Sequence, residues 1–322
     1  MPETPLLGPT RPHYRAVFIS PHLDDAVFSC GGRIAQLVLE GPVLVLNIFT
    51  RYLADLKIHG AVMGAQRHQE ERDAAAFLGY ESRSLDELDA PFRRDAYRKL
   101  GNLFRPPCEL DMAWLPTLRA RLLGLLDGID FDQLYVPLGI GWHVDHVLTH
   151  LAFDTWAERS KLLYYEDAPY CCIPHATRYR LNDLAYAPVP AGDASLAPTS
   201  ALLAWQQAAS AYANTALMKN LQPWIVRQLA LPAVSFYLFR LMAQHRHPVA
   251  RASQHHLQPL LVPVADQLER KVDAMALYPS QFGEFFVSRQ DGLTTLTTYA
   301  QTMGQATGAV ERYWTHQAQD FT

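Results

Sequence analysis

The stretch Ala16-Val17-Phe18-Ile19-Ser20-Pro21-His22-Leu23-Asp24-Asp25-Ala26, followed by Gly31-Gly32, decides how this chain is read. An uninterrupted apolar run bounded by a polar corner reads as a strand buried on both faces and turning into a helix. The corner carries one imidazole, His22, and two carboxylates, Asp24 and Asp25. About 120 residues further on, a second apolar strand, Leu134 to Leu138, runs into Gly141-Trp142-His143-Val144-Asp145-His146. Two such corners in one parallel sheet face the same crevice, because ligands of open α/β sheets sit beyond the carboxyl ends of the strands.

Working outward, strands are expected at 15–20, 42–49, 83–88, 132–138 and 161–166. Helices are expected at 25–39, at 61–78 closed by Gly79, from Pro116 to just before Asp127-Gly128, and at 145–159. Strands alternating with helices define an α/β fold, a Rossmann-like, mostly parallel sheet with helices on both faces. From about residue 181 the pattern changes: a Pro/Ala/Gly-rich loop from Ala187 to Pro198 precedes helical stretches and one strand-like run, His256 to Val264. Residues 1–180 are therefore expected to form a core with the metal site. Residues 181–322 are expected to form a largely helical C-terminal extension packing on the core, as a substrate lid or as a second domain. Within it, Leu221 to Ala243 is rich in Trp, Phe, Tyr and Leu but is interrupted by Arg227, Gln228, Pro232 and Arg240. It reads as a buried or lid-forming helical hairpin, with an interfacial membrane contact as the alternative.

A chain of 322 residues can bury a large core. A net charge of −4 with 19% charged residues gives no basic field, so nucleic acid is not an expected partner. Cys30, Cys108 and the adjacent Cys171-Cys172 form no C-x-x-C pair and no disulfide framework. Residues Met1 to His13 lack the apolar core of a secretory signal, and no run reaches the roughly 20 apolar residues of a membrane span. A cytoplasmic location without a membrane span is expected.

Hydrolytic zinc sites use three ligands drawn from His, Asp and Glu and keep a position open for water, whose pKa the ion lowers to about 7. His22, Asp25 and His146 supply such a set. Asp24 and Asp25 are adjacent and cannot meet one ion in the same way, so one can bind while the other accepts a proton. His143 and His146 stand three apart across the first turn of a helix, so one can bind metal while the other meets the substrate. With Asp145 as its carboxylate neighbour, the substrate-facing histidine is suited to being an imidazolium that stabilises an oxyanion. Alone, either motif reads more simply as a helix cap. Together, each at a strand exit, they read as a metal site.

Other candidates each carry two readings. Trp142 can offer a stacking face to a ligand ring or merely pack the corner. Arg67 and Glu70 can serve the site or form an i,i+3 ion pair. Glu166 and Asp167, at the end of a strand, suit substrate contact or capping equally. His245, His247, His255 and His256 sit in a Gln- and Arg-rich stretch and read as solvated rather than as a second metal site. A dehydrogenase is disfavoured because no G-x-G-x-x-G follows the first strand and carboxylates occupy the place of a pyrophosphate.

Ser20-Pro21-His22-Leu23-Asp24-Asp25 with Gly31-Gly32, and His143-Val144-Asp145-His146, resemble the PIG-L/LmbE-like family of zinc-dependent N-acetylglucosaminyl deacetylases. Arg67-x-x-Glu70 with Ala74 and Leu78-Gly79, Leu88-Asp89-Ala90-Pro91, and Lys271, Ala274 and Ser280-Gln281 resemble further family signatures. The resemblance covers about residues 16–170 and 268–281 and departs at Leu23, where the family usually has Pro. It implies that His22, Asp25 and His146 bind Zn2+ and that Asp24 is the general base. It further implies that His143, oriented by Asp145, is the acid or the oxyanion stabiliser, and that Arg67 and Asp89 hold sugar hydroxyls. The implied reaction frees an amine and acetate from an N-acetylated amino sugar or glycoside. The alternatives are a zinc amidase acting on a thiol-sugar conjugate or other acylated natural product, and a metal-free binding protein. The ligand set also accepts other divalent ions such as Fe2+. The sole implied partner is the small-molecule substrate, and the sequence is compatible with a homo-oligomer.

Overall fold

Alternate residues of the first strand enter two different cores: Val17 and Ile19 pack with one hydrophobic cluster, Ala16 and Phe18 with another. A strand buried on both faces in this way needs helices above and below. The computed structural model describes residues 11–53, 64–184, 193–221, 224–244, 257–304 and 308–316. Over these it runs β1 (His13–Ser20), α1 (Asp25–Leu37), β2 (Val43–Asn47), α2 (Ala65–Leu78), β3 (Glu81–Ser84), α3 (Ala90–Arg93), α4 (Leu100–Leu103) and α5 (Glu109–Leu126). Then follow β4 (Asp130–Pro137), α6 (Val144–Ala152), β5 (Leu162–Tyr165), α7 (Ala176–Asp183), α8 (Ala201–Ala213), α9 (Ala216–Lys219) and α10 (Trp224–Gln244). The last elements are β6 (Gln258–Pro263), α11 (Leu268–Met275), α12 (Pro279–Phe285), α13 (Arg289–Thr302) and β7 (Val310–Thr315).

The seven strands form one sheet in the order β3-β2-β1-β4-β5-β7-β6. The first five are mutually parallel, with Phe18 opposite Val45 on one side and Tyr135 on the other. β7 runs antiparallel to both of its neighbours. Leucines of α5 and α6 cover one face, and α1, α2 and α11 cover the other. The fold is the expected α/β arrangement with a largely helical C-terminal region, which also returns two strands to the sheet.

Several boundaries differ from expectation. Pro116 lies inside α5 rather than at its start. Its ring removes the bond to the Met112 carbonyl, and Met112 is exposed, so water can take that place. β3 ends at Ser84, and the chain continues past a single bridge between Arg51 and Leu88. α6 stops at Ala152, short of 159. The Leu221 to Ala243 segment contains one helix, α10, rather than a hairpin, and its hairpin partner is α8, whose Trp205 Nε1 donates to the Ser235 carbonyl at 2.8 Å. Leu229 and Phe236 of α10 are exposed, so the helix is not buried. No helix among the described residues is long and apolar enough to cross a membrane. His245, His247, His255 and His256 lie outside the described residues, as do 1–10, 61–63 and 187–192.

The Gly31-Gly32 pair sits inside α1, where α11 and β7 approach closely. A Cβ on Gly32 would stand 2.7 Å from that of Val264. Glu311 of β7 accepts from the Gly32 and Arg33 amides at 2.9 Å and from Lys271 Nζ at 2.7 Å, and Lys271 also donates to the Ser29 carbonyl. Glu166 has a structural role too, accepting from Arg312 Nε at 2.6 Å and Trp314 Nε1 at 2.9 Å.

Glu71 of α2 is buried among four donors, Asn47, Tyr80, Ser82 and Tyr278. Burial nevertheless pushes its carboxyl up to about 7, the four donors opposing the shift. A raised folded pKa means that the stabilising contribution is complete below the unfolded value and is lost as pH climbs through the folded one. Relative to Glu71→Gln, wild-type unfolding free energy should therefore fall between about pH 4.5 and 7, by up to about 3 kcal/mol. Urea denaturation across that range tests this, and parallel curves for the two proteins would show Glu71 ionised throughout.

Candidate metal centre and active site

β1 and β4 are adjacent and parallel, so the corners that follow them meet at one end of the sheet. After β1, Ser20 Oγ accepts from the Ala26 amide at 3.0 Å, turning the chain into α1. Asp24 occupies the cap position of α1 but its side chain makes no capping bond, so the simple helix-cap reading does not hold there. Leu23, the departure from the family pattern, is buried. After β4, Gly141 takes a φ of +88°, and a Cβ there would lie 2.6 Å from the Tyr170 ring. Only glycine lets the second corner lie against that ring.

Asp25 joins the two corners. Its Oδ2 accepts from the His22 backbone amide at 2.8 Å and lies 3.0 Å from His22 Nδ1 and 3.2 Å from His146 Nε2. The His22 and His146 rings are 5.4 Å apart, and His143 stands 5.0 Å from His22 and 5.4 Å from His146. Ring nitrogens of all three histidines lie within 4.8 Å of one another, as do single donor atoms of His22, Asp89 and Asp145. Asp89 Oδ1 is 4.0 Å from His22 Nε2, which places this carboxylate beside the imidazoles rather than out at the crevice rim. The donor set fits a divalent ion: clustered imidazoles and carboxylates, buried, and held from behind.

That support comes largely from a residue with only an ambiguous signal in the sequence. Asp167 Oδ1 lies 2.7 Å from His146 Nδ1, while its Oδ2 accepts from the Gly139 and Ile140 amides at 2.7 and 2.8 Å. The contact fixes the imidazole and leaves Nε2 facing Asp25. Arg93, invisible in the sequence pattern, donates to Asp145 Oδ1 at 2.6 Å and to Asp111. Its guanidinium lies over the rings of Phe49 and Trp114.

Two expected roles change. The Asp145 carboxylate does not hold His143; it meets His22 Nε2 at 3.3 Å and accepts from the Ala90 amide at 3.0 Å. His143 instead caps α6, its Nδ1 accepting from the Asp145 backbone amide at 3.3 Å. Burial, with His22 and His146 nearby, pushes His143 down to about 3, so it is a neutral imidazole and not the expected imidazolium. With Nδ1 accepting, the proton sits on Nε2. Trp142 is not presented to substrate: it is packed with Tyr179, Ala204 and Ala208, and its Nε1 donates to Asp183 at 2.6 Å.

Arg67 does not pair with Glu70. It donates to Asp24 Oδ1 at 2.7 Å, whereas Glu70 accepts from the Ser280 amide at 3.2 Å. Burial raises the Asp24 carboxyl, Asp25 adding to the rise and Arg67 opposing it. His146 is pushed up to about 9, since Asp25 and Asp167 outweigh its burial.

The fold and site together define an α/β protein with a buried His/Asp centre at the carboxyl edge of its sheet. Residues 17–157 match the family described as PIG-L: GlcNAc-PI de-N-acetylase. A 2'-N-acetylparomamine deacetylase of Streptomyces fradiae is 32% identical over 165 residues, covering 48% of this chain and 57% of that protein. A protein of the same name from Niallia circulans is 28% identical over 187 residues, covering 48% of this chain and 66% of that one. The chain thus spans less than two thirds of the length of either relative. Among solved structures, the A40926 pseudoaglycone deacetylase Dbv21 shares the fold with a TM-score of 0.57 at 20% identity, over 95% of this chain and 99% of that one. The zinc-inhibited form of the teicoplanin deacetylase Orf2 does so with a TM-score of 0.59 at 18% identity, over 96% and 100%. The likeness to the PIG-L family is carried by residues 17–157, less than half of the chain.

Because His146 is protonated at neutral pH without an ion, zinc must displace that proton. Calorimetric titration with Zn2+ at pH 7, in buffers of different ionisation enthalpy, should show release of about one proton or more per ion. Zero release would mean that the carboxylates do not raise His146. Arg93→Ala should leave Asp145 buried and uncompensated, lowering unfolding free energy by about 3 kcal/mol or more in urea melts.

Proposed function

We propose that this chain is a zinc-dependent N-deacetylase that hydrolyses the acetamide of an N-acetylated amino sugar or glycoside, releasing a free amine and acetate. The observation that carries the reading is the Asp25 carboxylate reaching both His22 and His146, with Asp24 beside it as a second, differently placed carboxylate. His22, Asp25 and His146 would hold the ion, which when bound supplies Lewis acidity toward the carbonyl and toward water.

The chain's own residues supply the rest. Arg67 occupies Oδ1 of Asp24, leaving Oδ2 to accept a proton from the attacking water. The water oxygen bonds to the acetamide carbon, and charge moves to the former carbonyl oxygen. His143, neutral with its proton on Nε2, donates a hydrogen bond to that oxyanion. Collapse breaks the C–N bond, and the proton held by Asp24 passes to the departing nitrogen, giving amine and acetate in balance.

The relatives named as 2'-N-acetylparomamine deacetylases, and the fold shared with the A40926 pseudoaglycone and teicoplanin deacetylases, support an acetamido sugar on a larger scaffold. The region after residue 181 serves as the crevice wall or lid in this reading. In support, Tyr237 of α10 donates to the Phe104 carbonyl at 3.0 Å, and the Phe104 ring lies 5.8 Å from that of His143.

Amine release from a panel of N-acetylated amino sugars, combined with metal analysis, tests the assignment. Asp24→Ala should lose turnover by about a thousandfold while retaining metal, and His22→Ala should lose both. Wild-type turnover in Asp24→Ala would remove the base. Failure of the zinc-loaded wild type on every acetamide would remove the deacetylase reading itself.

A further inference from the structure

Among the described residues, the Tyr52 hydroxyl is a buried polar atom with no hydrogen-bond partner. Such a group is costly to leave unpaired, so its location is informative. Tyr52 lies just beyond the carboxyl end of β2, on the same edge of the sheet as both corners. The neighbouring Arg51 is fixed against the strand leading to Asp89: its amide donates to the Glu87 carbonyl at 3.0 Å, and its carbonyl accepts from the Asp89 amide at 3.3 Å. The Tyr52 ring is held on two sides, edge-on to Phe92 at 5.7 Å and beneath the Arg67 guanidinium at 5.5 Å. That same guanidinium donates to Asp24 at 2.7 Å, so the phenol stands one side chain away from the base.

We infer that Tyr52 Oη is a specificity-determining contact that hydrogen-bonds a ring hydroxyl of the sugar bearing the acetamide; the inference rests on the deacetylase reading above. The chemistry around the phenol selects this partner. Burial raises the Tyr52 pKa, Asp89, Asp24 and Asp25 adding to the rise and Arg67 opposing it, so the group stays protonated. Three carboxylates nearby make the position hostile to an oxyanion. A phenol both donates and accepts, which matches an alcohol. Arg67, the expected holder of a sugar hydroxyl, is engaged with Asp24, and the phenol beneath it has no other partner.

Tyr52→Phe keeps the ring against Phe92 and Arg67 and removes only the oxygen. Two acetamides separate the roles: methyl N-acetylglucosaminide, which carries ring hydroxyls, and N-cyclohexylacetamide, which has none. The variant should raise KM for the sugar about fivefold to tenfold, with kcat within about threefold, and leave kinetics on the cyclohexyl compound unchanged. Calorimetric binding of methyl glucosaminide, the amine product, should weaken by a similar factor, with zinc content and melting temperature as in wild type. Unchanged KM and unchanged product binding, an equal loss on both acetamides, or a fall in kcat alone would overturn the assignment while leaving the deacetylase reading intact. If the wild type hydrolyses the cyclohexyl compound but neither binds nor hydrolyses the sugar, this inference fails alone; if it hydrolyses no acetamide at all, the deacetylase reading fails and this inference with it.

Discussion

The structure depends on the parallel, in-register pairing of β1 with β4. Ala16 faces Gln133 and Phe18 faces Tyr135, so the two strands leave the sheet side by side and at the same height. Residues 123 apart in sequence, His22 and Asp145, come within 3.3 Å for that reason alone. A slip of one residue in either strand would send each side chain into the other of the two cores, so the packing that fixes the register also fixes the spacing of the site.

Gathering so many carboxylates in one place is unfavourable unless each is compensated. Three of those near the centre have fixed donors of their own. Asp24 has Arg67, Asp145 has Arg93 and the Ala90 amide, and Asp167 has two backbone amides. Asp25 meets two imidazoles and no guanidinium, and Asp89 only His22 Nε2 at 4.0 Å, so these are the carboxylates a cation would serve. Arg93 is the least replaceable of these partners, since it serves Asp145 and Asp111 together.

Much of this was legible from residue types alone. The apolar run 16–19 and the corner behind it gave the central strand, and the second corner gave its neighbour, because burial on both faces leaves a strong pattern. His22, Asp25 and His146 converge as their spacing suggested. Features that depend on distant packing were not legible. Arg93 and Asp111 carry no local motif, and nothing near Asp145 reveals that its carboxylate turns to His22. The protonation of His143 depends on two other imidazoles that only the fold brings near. Trp142 and Glu166 are polar-edged or aromatic at a strand exit, which suits a ligand contact and a packing role equally, and tertiary neighbours decided for packing. Pro116 misled because a proline inside a helix is tolerated where water reaches the freed carbonyl.

The position of β7 sets an order of events. β6 precedes β7 in the chain, yet among the described residues it touches β7 and no other strand of the sheet. A nascent polypeptide that has just released β6 therefore lacks the strand it pairs with in the finished sheet. Until residue 311 emerges from the ribosome, α1 also lacks the carboxylate that ties the Gly32 and Arg33 amides to the sheet. The helix that begins with Asp25 thus receives its final anchor late in translation, and chains that stall before that point would carry the ligands without the scaffold that holds them.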